Sequence, residues 1–354
     1  MRIAHVITTI ERGGAENQLL ILCREQVSLG YDIWVIYLKG RPELLDDFRN
    51  LGVKVQLLQG FMLLSPIYQL RKLAHVHKFD LLHAHLPQSE LVASLAFTRV
   101  PIVISRHNSE KFYPRGPALV SRAMSLFCLS RATSRIAISE SVLRHITIHH
   151  ERARSHCFHV VYYGFQFDDL PLRPSSKLMN EKVRILSIGR LVAQKDFATF
   201  LHGLFNLKQH NMKFHASIIG AGNLEKELKS LTHQLDLNDE VSWKGRTKNT
   251  NGFYSNSDIF VLTSLYEGFG LVLVEAMNFD LPIVCSRFSA ALEVLGENYS
   301  GFFEIGDAKE LSDKIEWSIY NRNLLVNQLR NRRKLFDCHG MAKQIDDIYK
   351  NTIS

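Results

Sequence analysis

The constraint that bears hardest on this chain is how regularly a short apolar run gives way to a helix-length segment and then to another short apolar run. Strand-type runs at 2–9, 32–38, 53–58, 80–85 and 101–106 alternate with helix-type segments at 17–29, 43–51, 66–78 and 88–98. Apolar runs of roughly four to eight residues suit strands buried on both faces, and their alternation with helices makes parallel β-α-β units. Strands at 135–138 and 159–162 and a helix at 140–150 close this first series. A second series opens at Lys182-Val-Arg-Ile-Leu-Ser-Ile-Gly-Arg190, enters a helix ending near His210, and continues through strands 214–219, 240–243 and 258–262. Between the series, residues 168–181 hold Pro171, Pro174, two serines and no apolar period, the composition of a linker. The pattern predicts two doubly wound α/β domains.

The length of 354 residues suits two domains of ordinary size, and 46% apolar with 22% charged residues describes a globular protein with ample core. No apolar run approaches the roughly 20 residues of a membrane span. Met1-Arg-Ile-Ala-His-Val-Ile7 reads as a strand, its apolar run being too short for a signal peptide and no small-residue cleavage site following. Cys23, Cys128, Cys157, Cys285 and Cys338 lie far apart without paired spacing, which predicts reduced, mostly buried thiols in a cytoplasmic protein. The net charge of +8 and pI near 9.2 favour an anionic partner: phosphate, acidic lipid or nucleic acid. No nucleic-acid-binding module is visible, so nucleotide phosphates or a membrane surface are the expected partners.

The densest chemistry lies between the apolar runs Asp258-Ile-Phe-Val-Leu262 and Leu281-Pro-Ile-Val-Cys285. Gly268 and Gly270 punctuate a loop and 271–278 reads as a short buried helix, so the first N–H groups of that helix point beyond the strand ends, where an anion or a polyol binds. Glu267 and Glu275 bracket the turn, and a Glu in a buried helix is costly unless it is hydrogen-bonded: Glu275 either meets a ligand or caps or pairs with an unseen Arg. Arg190 and Lys195 fall in the strand-to-helix loop of the second series, where two cations hold a diphosphate or form a structural ion pair. In the first series, Gly13 and Gly14 join strand to helix and permit either close ligand approach or a tight turn. His107 follows the strand at 101–106, at the carboxyl edge where open α/β sheets bind ligands. His83 and His85 sit two apart on one strand, facing one side, but no nearby Cys or carboxylate completes a metal site, and none is expected.

Glu267-Gly-Phe-Gly-Leu-Val-Leu-Val-Glu275 closely resembles the signature of retaining, nucleotide-sugar-dependent glycosyltransferases of family four, which have the GT-B fold. The resemblance spans nearly the whole chain and is strongest from 183 to 305. It implies two Rossmann-like domains facing across a cleft: an N-terminal acceptor domain at 1–168, a linker at 169–181, a C-terminal donor domain at 182–325, and helices at 326–354, the last crossing back to the first domain. It assigns Glu267 to the donor sugar hydroxyls, with Gly268, Phe269, Gly270 and Leu271 around it, and Glu275 to the ribose. Arg190 and Lys195 are assigned to the diphosphate, the backbone at Gly245 and Arg246 to the base, Gly13 and Gly14 to the donor phosphates and acceptor, and His107 to the substrate. Four departures stand out: Arg106 beside His107, Tyr163 before Gly164 where the family has Asn-Gly, and Asp196 and Asp280 where it favours Gly.

The implied reaction moves a sugar from a nucleotide-diphosphate sugar, most often a UDP-sugar, to an acceptor hydroxyl with retention, in assembly of a surface polysaccharide, lipopolysaccharide or glycolipid. No cofactor is implied, and no Asp-x-Asp metal motif occurs. The acceptor is an unidentified glycan or lipid-linked glycan. Phe61-Met-Leu-Leu64, Arg71, Lys72 and the basic, apolar stretch 109–131 suit either peripheral contact with acidic membrane or core packing with a solvated face. The rival readings are a sugar-nucleotide epimerase of similar fold and a nucleotide-sugar-binding protein without turnover. A dehydrogenase is disfavoured because Gly-x-Gly-x-x-Gly is missing after the first strand.

Overall fold

The structure, a computed structural model, describes residues 1–60, 64–107, 111–113, 116–148, 158–167, 182–247 and 249–353. The chain forms two compact units, Met1–Gln166 with Leu335–Ser354, and Phe167–Lys334.

The first unit runs β1 (Arg2–Ile7), α1 (Gly14–Ser28), β2 (Asp32–Tyr37), α2 (Leu45–Asn50), β3 (Lys54–Leu57), α3 (Leu64–His77), β4 (Leu81–His85), α4 (Pro87–Leu95), β5 (Ile102–Arg106), α5 (Ala118–Arg131), β6 (Ser134–Ala137), α6 (Glu140–Ile148) and β7 (Phe158–Val160). Its sheet is parallel throughout, in the order β3-β2-β1-β4-β5-β6-β7. β1, β4 and β5 are almost wholly buried because helices cover both faces, which is why they read as unbroken apolar runs.

The second unit runs β8 (Val183–Ile188), α7 (Phe197–Gln209), β9 (Phe214–Ile219), α8 (Glu225–Gln234), β10 (Val241–Trp243), α9 (Asn251–Ser255), β11 (Ile259–Leu262), α10 (Leu271–Asn278), β12 (Ile283–Ser286), α11 (Ser289–Leu295), β13 (Phe302–Phe303), α12 (Ala308–Tyr320) and α13 (Arg322–Arg333). Its parallel sheet has the order β10-β9-β8-β11-β12-β13. In each sheet the chain winds outward from the first strand and then returns to that strand's other side. The switch points are β1/β4 and β8/β11, and ligands of such sheets sit beyond the carboxyl ends there.

α14 (Cys338–Ile353) packs on α1 in the first unit, placing Met341, Ile345, Ile348 and Tyr349 in one core with Leu19, Leu22 and Cys23. Gly164 is required by this packing, since a Cβ there would lie 2.6 Å from Cα of Cys338. The unit boundaries differ from the expected ones. The first unit ends at Gln166, and α13 stays with the second, so that unit runs past 325 to Lys334. α13 is held there by its buried Leu325, Val326 and Leu329 and by Asp280, buried just after α10 with φ +49, which pairs with both Arg330 and Arg333. The expected linker, 169–181, lies outside the described residues.

Three helices escaped the sequence pattern. α9 and α11 are too short for a period to show, and α5 carries polar residues among its apolar ones. In the stretch 109–131, Phe112 ahead of α5 and Cys128 on it join the core, while Leu119 and Val120 of α5 are exposed. On α3, Leu64 and Tyr68 are exposed beside exposed Arg71 and Lys72. Residues 61–63 lie outside the described residues, as does Cys157; Cys23, Cys128, Cys285 and Cys338 are buried and free.

Candidate active site

In the second unit the loops after β8 and β11, on either side of the switch point, are laced together by hydrogen bonds. Leu265 N–H donates to the Gln194 carbonyl at 2.9 Å, and the Thr263 hydroxyl donates to the Lys195 carbonyl at 2.9 Å. The Gln194 side-chain amide donates to the Tyr266 carbonyl at 2.8 Å. These bonds bring Lys195 Nζ into an ion pair with Glu267 Oε1, which also accepts from the Ser264 hydroxyl at 2.8 Å. Arg190 stands exposed beside them, 3.4 Å from Gln194 Oε1. Asp196 adopts φ +43 and caps α7, accepting from Thr199 N–H at 3.3 Å and the Thr199 hydroxyl at 2.6 Å. The position demands left-handed backbone; Asp tolerates it and adds a cap that glycine lacks.

Glu275 lies on the side of α10 that keeps some exposure, with Leu271, Val272 and Asn278. Its Oε2 accepts from the Tyr254 hydroxyl at 2.8 Å. Burial raises its carboxyl above the ordinary value, the Tyr254 bond and the Lys195 charge offsetting part of the rise. Tyr254, from the short α9, was not foreseen, because a lone aromatic in a five-residue helix gives no periodic signal. Gly270 begins α10 at φ +90, a conformation that leaves only glycine without strain, and Phe269 beside it is buried. Gly268 and Leu271 lie in the same turn; Gly245, at φ +65, and exposed Arg246 follow β10.

In the first unit, His107 does not stand alone. The parallel register sets His5 of β1 opposite His83 of β4, and His85 two residues on. His5 Nδ1 lies 3.0 Å from His85 Nε2, His85 Nδ1 3.1 Å from His107 Nε2, and His107 Nδ1 2.6 Å from the Tyr163 hydroxyl. His83 contacts the Tyr349 hydroxyl at 2.5 Å and Ser105 Oγ at 2.7 Å. Desolvation pushes His5 down to about 4 and His107 to about 3, and holds His83 and His85 well below the usual range, so all four rings are neutral at physiological pH. His83, His85, Ser105, His107, Tyr163 and Gln18 line a cavity of about 30 Å³, room enough for water. Both nitrogens of His107 are occupied within the fold, which the sequence could not show.

Gly13 is the N-cap of α1, which Gly14 begins. A Cβ on Gly13 would collide with the Glu16 carboxylate, which turns back to accept from the Thr9 hydroxyl at 2.6 Å. Arg106 forms an ion pair with Glu90 at 2.9 Å, both side chains buried, and stacks on Phe112. His5 completes a triad with His83 and His85 whose ring nitrogens lie within 4.8 Å of one another. Sequence spacing had left that pair without a third ligand, because His5 is distant in the chain.

Two parallel Rossmann-like sheets, one bearing a cationic strand–helix loop laced to a Glu-flanked glycine turn, define a GT-B glycosyltransferase. The family described as Glycosyltransferase Family 4 matches residues 12–168, and that described as Glycosyl transferases group 1 matches 169–335. The chain belongs to glycosyltransferase family four. It is 32% identical to an uncharacterized glycosyltransferase of Haemophilus influenzae over 179 residues, 50% of this chain and 51% of that one. Over 97% of both chains it is 26% identical to the Campylobacter jejuni GalNAc-alpha-(1->4)-GalNAc-alpha-(1->3)-diNAcBac-PP-undecaprenol alpha-1,4-N-acetyl-D-galactosaminyltransferase. The crystal structure of Anabaena HepE in complex with UDP and glucose superposes with a TM-score of 0.83 at 20% identity, covering 99% of this chain and all of that one.

Proposed function

We propose that this glycosyltransferase moves a sugar from a nucleotide-diphosphate sugar, a UDP-sugar before others, to a hydroxyl of a lipid-linked or surface-polysaccharide acceptor, with retention and without a metal. The observation that carries the reading is the lacing of the two loops, which sets two cations and two carboxylates at one sheet's switch point. Arg190 and Lys195 neutralise the diphosphate, doing electrostatically what a metal does in other sites. Glu267 takes the sugar hydroxyls, Glu275 the ribose, and the backbone at Gly245 and Arg246 the base. The bond from the anomeric carbon to the leaving phosphate breaks as the acceptor oxygen attacks from the same face. The acceptor's proton passes to a leaving-phosphate oxygen.

The uracil nucleotide is favoured by HepE, whose structure holds UDP, and the lipid-linked acceptor by the Campylobacter relative, whose name carries a PP-undecaprenol glycan. Among the described residues no helix is long and apolar enough to cross a membrane. Exposed Leu64, Tyr68, Leu119 and Val120 with Arg71 and Lys72 support peripheral contact with an acidic leaflet at its cytoplasmic face. A melting screen against nucleotide sugars tests the donor, since a ligand of the native state raises Tm by mass action. Stabilisation by a UDP-sugar followed by transfer to a glycan acceptor is the expected result. Stabilisation without transfer to any acceptor would favour the binding protein without turnover.

A further inference from the structure

The buried histidines of the first unit form one polarised chain. Gln26 Oε1 lies 2.8 Å from His5 Nε2, and an amide oxygen only accepts, so His5 carries its proton on Nε2. Neutral His5 then accepts at Nδ1, which requires a proton on Nε2 of His85, 3.0 Å away. By the same step, His85 accepts at Nδ1 from Nε2–H of His107 at 3.1 Å. His107 is left with a bare Nδ1, which takes the Tyr163 O–H at 2.6 Å. On its other side the Gln26 amide N–H faces the Tyr349 oxygen at 3.4 Å, which lies 2.5 Å from His83 Nδ1. Turning the Gln26 amide over would reverse every donor and acceptor from His5 to Tyr163.

We infer that Gln26 is a positioning residue that fixes His107 in the Nε2–H tautomer through His5 and His85, so that His107 Nδ1 takes hydrogen bonds and gives none. A ligand group that took the place of the Tyr163 phenol at that nitrogen would have to be a donor, as a sugar or glycan hydroxyl is. The inference rests on the proposed function only in its choice of ligand. A metal ion is the other occupant that His5, His83 and His85 suggest. The chain argues against it, because the facing nitrogens of His5 and His85 already share a proton.

The experiment is proton–nitrogen correlation of the imidazoles in full-length protein carrying isotope-labelled histidine, for wild type, Gln26→Met and Gln26→Glu. Wild type should show His5, His85 and His107 as Nε2–H tautomers at neutral pH. Gln26→Met, folded by circular dichroism, should show His107 as a mixture of tautomers, and Gln26→Glu, which keeps an acceptor, should retain the wild-type pattern. Turnover of Gln26→Met should fall by about tenfold, the size of one neutral hydrogen bond, with donor KM unchanged. A wild-type His107 protonated on Nδ1, or a His107 tautomer indifferent to Gln26→Met, overturns the inference. So does stoichiometric binding of added zinc to the wild type with loss of the His5 and His85 proton signals. The predicted tautomers in a protein that transfers no sugar would reject the functional reading alone.

Discussion

Lys195 of the β8–α7 loop and Glu267 of the β11–α10 loop are ion-paired with only 11% and 12% of their side chains exposed. The pair means that the proposed phosphate cation and the proposed sugar carboxylate are one structural unit. Lys195→Met leaves Glu267 with Ser264 and the 3.5 Å contact from Gln194 as donors, and should cost about 1–3 kcal/mol of stability as well as nucleoside diphosphate binding. Glu267→Gln should keep nucleotide binding and lose turnover. The double variant should recover most of the lost stability and stay inactive. Thermal melts of the cycle decide it, because strictly additive losses would mean that the two groups are not coupled.

Arg190 is exposed and reaches Gln194 only at 3.4 Å, so Arg190→Ala should leave stability within about 0.5 kcal/mol. Its kcat/KM should nevertheless drop about 100-fold, as charge builds on the diphosphate in the transition state. Activity in excess EDTA should match activity with magnesium, and a clear metal requirement would show that these cations are not the leaving-group clamp.

Glu275→Gln keeps the shape of the side chain but gives up charge-assisted bonds to ribose hydroxyls, worth roughly 1.5–3 kcal/mol of donor affinity. Because burial raises the Glu275 carboxyl, donor affinity should weaken on acidification before an ordinary carboxylate would protonate. The variant should lack that pH dependence. Calorimetry with the nucleotide checks both, and unchanged affinity in Glu275→Gln removes the role.

The four buried imidazoles set an acid limit on the first unit. The folded His5 and His107 bind a proton only near pH 4 and 3, whereas the unfolded chain binds one near its ordinary value of 6.5. Their stabilising contribution is therefore present above that ordinary value and is lost as pH falls through the folded values. The slope approaches about 1.4 kcal/mol per pH unit for each such histidine. Denaturant titrations between neutral pH and pH 4 should show this steep loss, and His85→Gln should reduce it. A flat profile would mean that the folded rings take up protons as readily as the unfolded ones.

Asp280 joins α10 to α13 through Arg330 and Arg333, and its carbonyl accepts from Arg322 at 3.0 Å. Asp280→Leu should destabilise the second unit by about 3 kcal/mol, taking the buried carboxylate away from the half-buried Arg330 and Arg333 and straining a left-handed position. Asp280→Gly, which relieves the strain alone, should fall between that variant and wild type. Equal melting of both variants would show that the ion pairs contribute nothing separable from the backbone.

What the sequence determined by itself is what local physics writes into contiguous residues. Apolar runs between helix periods foretold two parallel α/β layers, because strands covered on both faces must be apolar. The span from Glu267 to Glu275 exposed its strand, turn and helix for the same reason, since all its parts are neighbours in the chain. Tertiary structure alone decided the pairings across the sheets. His5 meets His85, and Gln26 meets Tyr349, because β1 lies beside β4 and α14 packs on α1. Lys195 meets Glu267 because the loops after β8 and β11 flank one switch point. Strand order and helix docking follow from long-range burial, which leaves no periodic mark at the residues it brings together.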